Sequence, residues 1–148
     1  MSVLLLLLLL ASGACGLVYQ VAWARMLTLV FGTTLLAVGT VLSAFMGGLA
    51  LGAFLLGRWV DRVSHPLRLF ALLEAGIGLY AFLFPLLAGG LYDTMSWLFP
   101  LQGSHSLYSL VRFCLSFLLL LIPTVLMGAT LPAVTRFAVQ QHSAVGVA

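Results

Sequence analysis

The sequence predicts an all-α integral membrane protein with about four transmembrane helices. Of 148 residues, 64% are hydrophobic and only 6% are charged, against roughly a quarter charged in soluble domains. A water-soluble fold of this size has too little interior to hide so much apolar side chain, so the solvent that fits the composition is a bilayer. The charged and turn-forming residues also fall at intervals that leave four apolar stretches, each near the roughly 20 residues that a spanning helix requires.

The first helix is expected over residues 3–24. Its leucine run at 4–10 resembles the core of a signal peptide, and Ala14-Cys15 resembles a lipoprotein cleavage site. No basic residue precedes the leucines, however, and apolar character continues through Leu17, Val18, Val21, Ala22 and Trp23, so a retained helix is expected. Residues 25–32 read as a short connection to an antiparallel second helix over 33–57. Gly39, Ser43 and Gly47 recur at four-residue spacing there, as do Gly48 and Gly52, which lines up small residues where a neighbouring backbone can approach. The alternative is that glycine is merely frequent in membrane helices.

Residues 58–68 form the most polar segment, with Arg58, Arg62 and Arg68. The positive-inside rule places this loop in the cytoplasm, and counting helices outward puts both termini there too. Arg136 agrees with that arrangement, whereas Arg25 and Arg112 face outward against the rule. A third helix is expected over 69–91, interrupted by Pro85 and ended by Gly89-Gly90. The stretch 92–106 reads as an outer loop whose Tyr92 and Trp97 suit the membrane interface. The fourth helix, over 107–139, carries Pro123 and Pro132 and is expected to be long and bent.

The polar residues exclude several function classes. The six arginines are scattered, with no basic tract, so nucleic acid is not an expected partner. Cys15 and Cys114 sit in apolar stretches as free thiols, and His65, His105 and His142 have no partner at ligand spacing, so no metal site is expected. There is no nucleophile elbow or ordered triad, and the glycines lie inside apolar helices rather than after a strand. No catalytic residue and no cofactor is therefore expected in this chain.

The candidate intramembrane polar site comprises Tyr19, Gln20, Glu74 and Arg112. Glu74 lies six residues past Arg68, so at 1.5 Å per residue it is roughly 9 Å into the third helix, where an ionisable group needs a partner or a polar cavity. It reads either as a cation site or, the favoured expectation, as a structural group paired with Arg136 or snorkelling to the cytoplasmic face. Arg25, Asp93 and Arg112 are expected to gather at the outer face as a structural charge cluster. Tyr19 and Gln20 are expected to make interhelical hydrogen bonds.

Three segments together resemble a known family: residues 16–25 (GLVYQVAWAR), residues 44–52 with 57–62 (AFMGGLALG and GRWVDR), and residues 122–132 (IPTVLMGATLP), with LLEAGIGLY at 72–80 between the second and third. Their order and spacing are similar to the N-terminal membrane region of bacterial membrane-bound spermidine synthase-like proteins, fused major facilitator and spermidine synthase chains. The resemblance covers nearly the whole sequence. It implies a membrane anchor or scaffold next to a soluble, Rossmann-type aminopropyltransferase domain acting on polyamines, and that second domain has no counterpart here. Gly57, Asp61 and Arg62 also resemble the cytoplasmic latch of major facilitator transporters, although Ser64-His65-Pro66 replaces the later part of that pattern. The fold implied is part of a major facilitator-type half bundle. Four helices are fewer than the six of one such half, so autonomous transport is not expected. The partners expected are the lipid bilayer and other membrane helices. Two alternatives stay open: an accessory subunit packed in a larger membrane complex, and a remnant or part of a transporter.

Overall fold

The computed structural model describes residues 3–31, 34–60, 62–97 and 105–145. They form four helices: α1 Val3–Phe31, α2 Thr34–Val60, α3 Pro66–Trp97 and α4 His105–Val145, with no strand among the described residues. Each contains a stretch long and apolar enough to cross a membrane, at Leu7–Phe31, Ala37–Val60, Pro66–Trp97 and Leu107–Gln140. Leu35, Met46, Phe82 and Leu86 point outward, which only a hydrocarbon solvent accommodates in such numbers. The chain is an all-α, multi-pass membrane protein of four helices.

The helices extend beyond the limits expected from the sequence. α1 passes Arg25 and reaches Phe31 because residues 25–31 contain neither glycine nor proline. Trp23, Leu27, Val30 and Phe31, three or four residues apart, also bury one continuous face. α3 begins at Pro66, the position where a missing N–H is harmless, and the His65 carbonyl accepts from the amides of Arg68 and Leu69 at 3.1 and 3.2 Å. It then runs through Pro85 and past Gly89-Gly90 to Trp97, so Tyr92, Asp93 and Trp97 lie on a helix rather than in a loop. Glycine lowers helix propensity by about 1 kcal/mol, but without water to replace them the backbone bonds of a membrane helix are kept.

Direction follows from the contacts. Ser12 meets Glu74 and Trp23 meets Phe84, so α1 and α3 run parallel. Ala44 meets Thr124 and Gly57 meets Pro132, so α2 and α4 do as well. Tyr80 meets Leu119, and Arg112 meets Val30, which sets α4 antiparallel to α3 and α1. The most extensive packing is between α2 and α4. A Cβ built on Gly48 would collide with the Thr124 side chain, and one on Gly52 would collide with the Val125 carbonyl and lie 3.0 Å from Gly128 Cα. Gly128 in turn abuts the Leu49 backbone. Small residues thus bring two backbones into contact, as membrane helices lacking a hydrophobic drive for association require.

Only one of the two small-residue series in α2 lies in this seam. Gly39 has nothing within 4 Å of a built Cβ, Ser43 is exposed, and Gly47 just reaches the Phe117 ring at 4.0 Å. Adjacent residues sit about 100° apart around a helix, so Gly48 and Gly52 face α4 while the series one residue earlier turns away.

Trp23 ties the remaining helices together. Its ring stacks on Phe84 of α3 at 4.7 Å and on Tyr19 at 5.6 Å, and tilts against Phe45 of α2 at 5.8 Å. A second buried cluster, around Val60, Phe70, Leu73, Ala129 and Ala133, closes the end nearest the 58–68 loop.

Candidate functional site

On α1, Ser12, Cys15, Gly16 and Tyr19 share one face because they are spaced three, four and seven residues apart; on α3, Glu74, Ile77 and Gly78 do the same. The parallel course of the two helices sets these faces against each other, with Met127 of α4 behind, and leaves a cleft of about 80 Å³. Within it Ser12 Oγ donates a hydrogen bond of 2.5 Å to Glu74 Oε1. Among the described residues, no cationic side chain lines the cleft.

Of the four residues expected to form a polar site, Tyr19 and Glu74 come together here and two lie elsewhere. Gln20, one residue past Tyr19 and therefore turned around the helix, lines a groove of about 410 Å³ between α1 and α2 with Arg25, Thr28 and Val38. Arg112 lies toward the other end of the bundle. Its Nη1 donates to the Val30 carbonyl at 3.3 Å, and its guanidinium covers the rings of Phe31 and Tyr108 at 5.0 and 5.4 Å. Val30 is next to the last residue of α1, so a carbonyl with no intrahelical donor receives a cation, the charge that a helix C-terminus favours. Arg112 Nε and Ser116 Oγ, one turn further along α4, are buried with no hydrogen-bond partner among the described residues.

The expected charge groupings are not what the described residues form. Arg25 and Asp93 are both exposed, and no ion pair joins either to Arg112. The bond that Glu74 makes is to Ser12, while Arg136 lies with Gly57, Pro132 and Thr135 around a separate cavity. Of the latch residues, Gly57 packs against Pro132, Arg62 is exposed with its amide bonded to the Trp59 carbonyl at 3.0 Å, and Asp61 lies outside the described residues. Among the described residues no three His, Cys, Asp or Glu side chains gather as metal ligands. His105 and His142 have side chains outside those described.

Two polar contacts were not anticipated from the sequence. Pro123 has no N–H to give to the carbonyl four residues back, on Leu119, and Tyr80 of α3 donates its hydroxyl to that carbonyl at 2.6 Å. Thr124, fully buried in the α2–α4 seam, directs its hydroxyl at Leu120 O at 2.8 Å, with Ala44 O of α2 at 3.2 Å. A proline inside an apolar helix signals an orphan carbonyl; which donor serves it depends on a helix about forty residues away in sequence. Ser12 was missed, and the signal for it is the small and polar stripe it starts through Cys15, Gly16 and Tyr19.

The fold and the cleft define a four-helix membrane domain with a single carboxyl group held between its helices among the described residues. No family model matches the sequence, and no curated protein or solved structure matches it either.

Proposed function

We propose that the chain is the membrane domain of a spermidine synthase-like protein, an anchor or scaffold with no catalysis of its own that holds an aminopropyltransferase-type domain at the cytoplasmic face of a bacterial inner membrane. The supporting observation is where the three resembling segments lie. Trp23 of the first is the hub of the aromatic core, Gly48 and Gly52 of the second form one side of the tightest seam, and Thr124 and Gly128 of the third form the other. These segments supply helix packing, which is what a scaffold asks of its sequence. In this arrangement the arginine-bearing 58–68 loop faces the cytoplasm, and further helices of the same protein cover part of the apolar surface.

The reading frame at the encoding locus tests this role. It is expected to supply further helices and a Rossmann-type domain, in the same frame or an adjacent one, and a locus with neither overturns the proposal. Membranes carrying only residues 1–148 are expected to transfer no aminopropyl group from decarboxylated S-adenosylmethionine to a diamine, and transfer above background would remove the claim of a non-catalytic domain. Alkaline phosphatase fused after residue 65 is expected to be inactive and after residue 102 active; the reverse pattern inverts the topology.

A further inference from the structure

We infer that the cleft around Glu74 is an intramembrane exchange site for a small monovalent cation, the proton included. The inference does not rest on the anchoring role and survives its failure. A carboxyl group among apolar helices is stable only when it is protonated, paired with a cation or hydrated. Glu74 has a hydrogen bond from Ser12, which carries no charge, and among the described residues no arginine, lysine or histidine lines the space around it. The other titratable groups facing it are Cys15 and Tyr19, both on α1; α4 contributes Met127, which does not titrate. When ionised, Glu74 is therefore hydrated or balanced by something that enters the cleft.

The size of the cleft limits what that is. About 80 Å³ holds two waters or so, or one desolvated monovalent ion, at roughly 30 Å³ per water. It is well below the roughly 300–1,000 Å³ of sites for drug-sized ligands. The space exists because Gly16 and Gly78 line it without side chains, and Cys15 beside it is exposed. Glu74 is itself only half-buried, so the cleft opens sideways between α1 and α3.

Dicyclohexylcarbodiimide, an apolar reagent for protonated carboxyls in membranes, tests this on the full chain in lipid nanodiscs. The carboxyl oxygen adds to the carbodiimide carbon while its proton passes to nitrogen, and acyl migration fixes the adduct as an N-acylurea readable by peptide mass spectrometry. Labelling is expected at Glu74, weakening as the pH of the medium is raised because only the protonated carboxyl reacts, and absent in Glu74→Gln, which preserves the neutral shape. Slowing by sodium chloride against choline chloride identifies sodium as a competing occupant, whereas pH dependence without a sodium effect identifies the proton alone; both support an exchange site. No adduct at Glu74 between about pH 5 and about pH 8, in protein of intact helicity, overturns the inference. So does labelling indifferent to both pH and sodium.

Discussion

Replacing Tyr80 by phenylalanine removes one oxygen atom and leaves the Leu119 carbonyl without the donor that reaches it at 2.6 Å. An average interhelical hydrogen bond in a membrane protein contributes only about 0.6 kcal/mol, with a maximum near 1.7, because its partners find substitutes when it is lost. Leu119 has fewer substitutes than most carbonyls. Its ordinary intrahelical donor is the amide of residue 123, which is proline, and an unpaired polar group in an apolar setting costs about 1–3 kcal/mol. Tyr80→Phe is therefore expected to destabilise the bundle by about 1–2 kcal/mol, a roughly 5- to 30-fold change in the folded-to-unfolded ratio. Reversible unfolding in mixed micelles of mild detergent and dodecyl sulfate measures it. The sharper measurement is a double-mutant cycle with Pro123→Ala, which restores the amide donor. In that background Tyr80→Phe is expected to cost less than about 0.5 kcal/mol, giving a coupling near 1 kcal/mol. An equal cost in both backgrounds would refute the assignment of the Tyr80 hydroxyl as the replacement for the missing proline donor.

Three further outcomes follow from the packing. Gly52→Ala places a methyl group against backbone that cannot move aside, so it is expected to cost about 1–3 kcal/mol or more, while Gly39→Ala, with open space around it, is expected to be neutral or stabilising by up to about 1 kcal/mol; similar effects on unfolding would place the α2–α4 seam elsewhere. Arg112→Met retains the apolar stem and removes the cation at the end of α1, so residues 28–31 are expected to exchange amide hydrogens faster, by the roughly fivefold that about 1 kcal/mol implies; unchanged exchange would show that Arg112 does not hold this end. Trp23→Ala empties the hub shared by α1, α2 and α3 and is expected to cost about 3–5 kcal/mol, read as loss of folded protein in the same micelles, with full stability counting against the hub.

Much of this fold is written in composition. Four apolar stretches separated by charges give four helices in any bilayer, and the spacing of Gly48 and Gly52 marks a close approach before any partner is known. The helix ends are less legible, because signals that stop helices in water lose their force in lipid. Arg25 and Gly89-Gly90 were read as ends, yet α1 and α3 continue because unpaired backbone costs more there than a charge at a helix surface or a glycine within it. The polar site was half legible. Glu74 and Tyr19 stand out as polar residues in apolar segments, but sharing a cleft depends on α1 and α3 running parallel in a register that sets Ser12 beside Glu74, sixty-two positions apart. Gln20 and Arg112 attract the eye for the same reason and lie elsewhere, since neither helical phase nor the register between helices can be read from polarity alone.

The α2–α4 seam also has a bearing on how the protein is made. Its contacts join residues about eighty positions apart, as between Ala44 and Thr124, so they cannot form until α3 has already crossed the membrane and α4 has emerged from the ribosome and inserted. While the chain is being delivered, Gly48 and Gly52 wait with their backbone turned toward lipid. Of these four helices, the one that arrives latest completes the tightest interface. Assembly of this domain is accordingly a late event, and a chain stalled before residue 124 would leave three loosely held helices open to capture by other membrane proteins or by quality control.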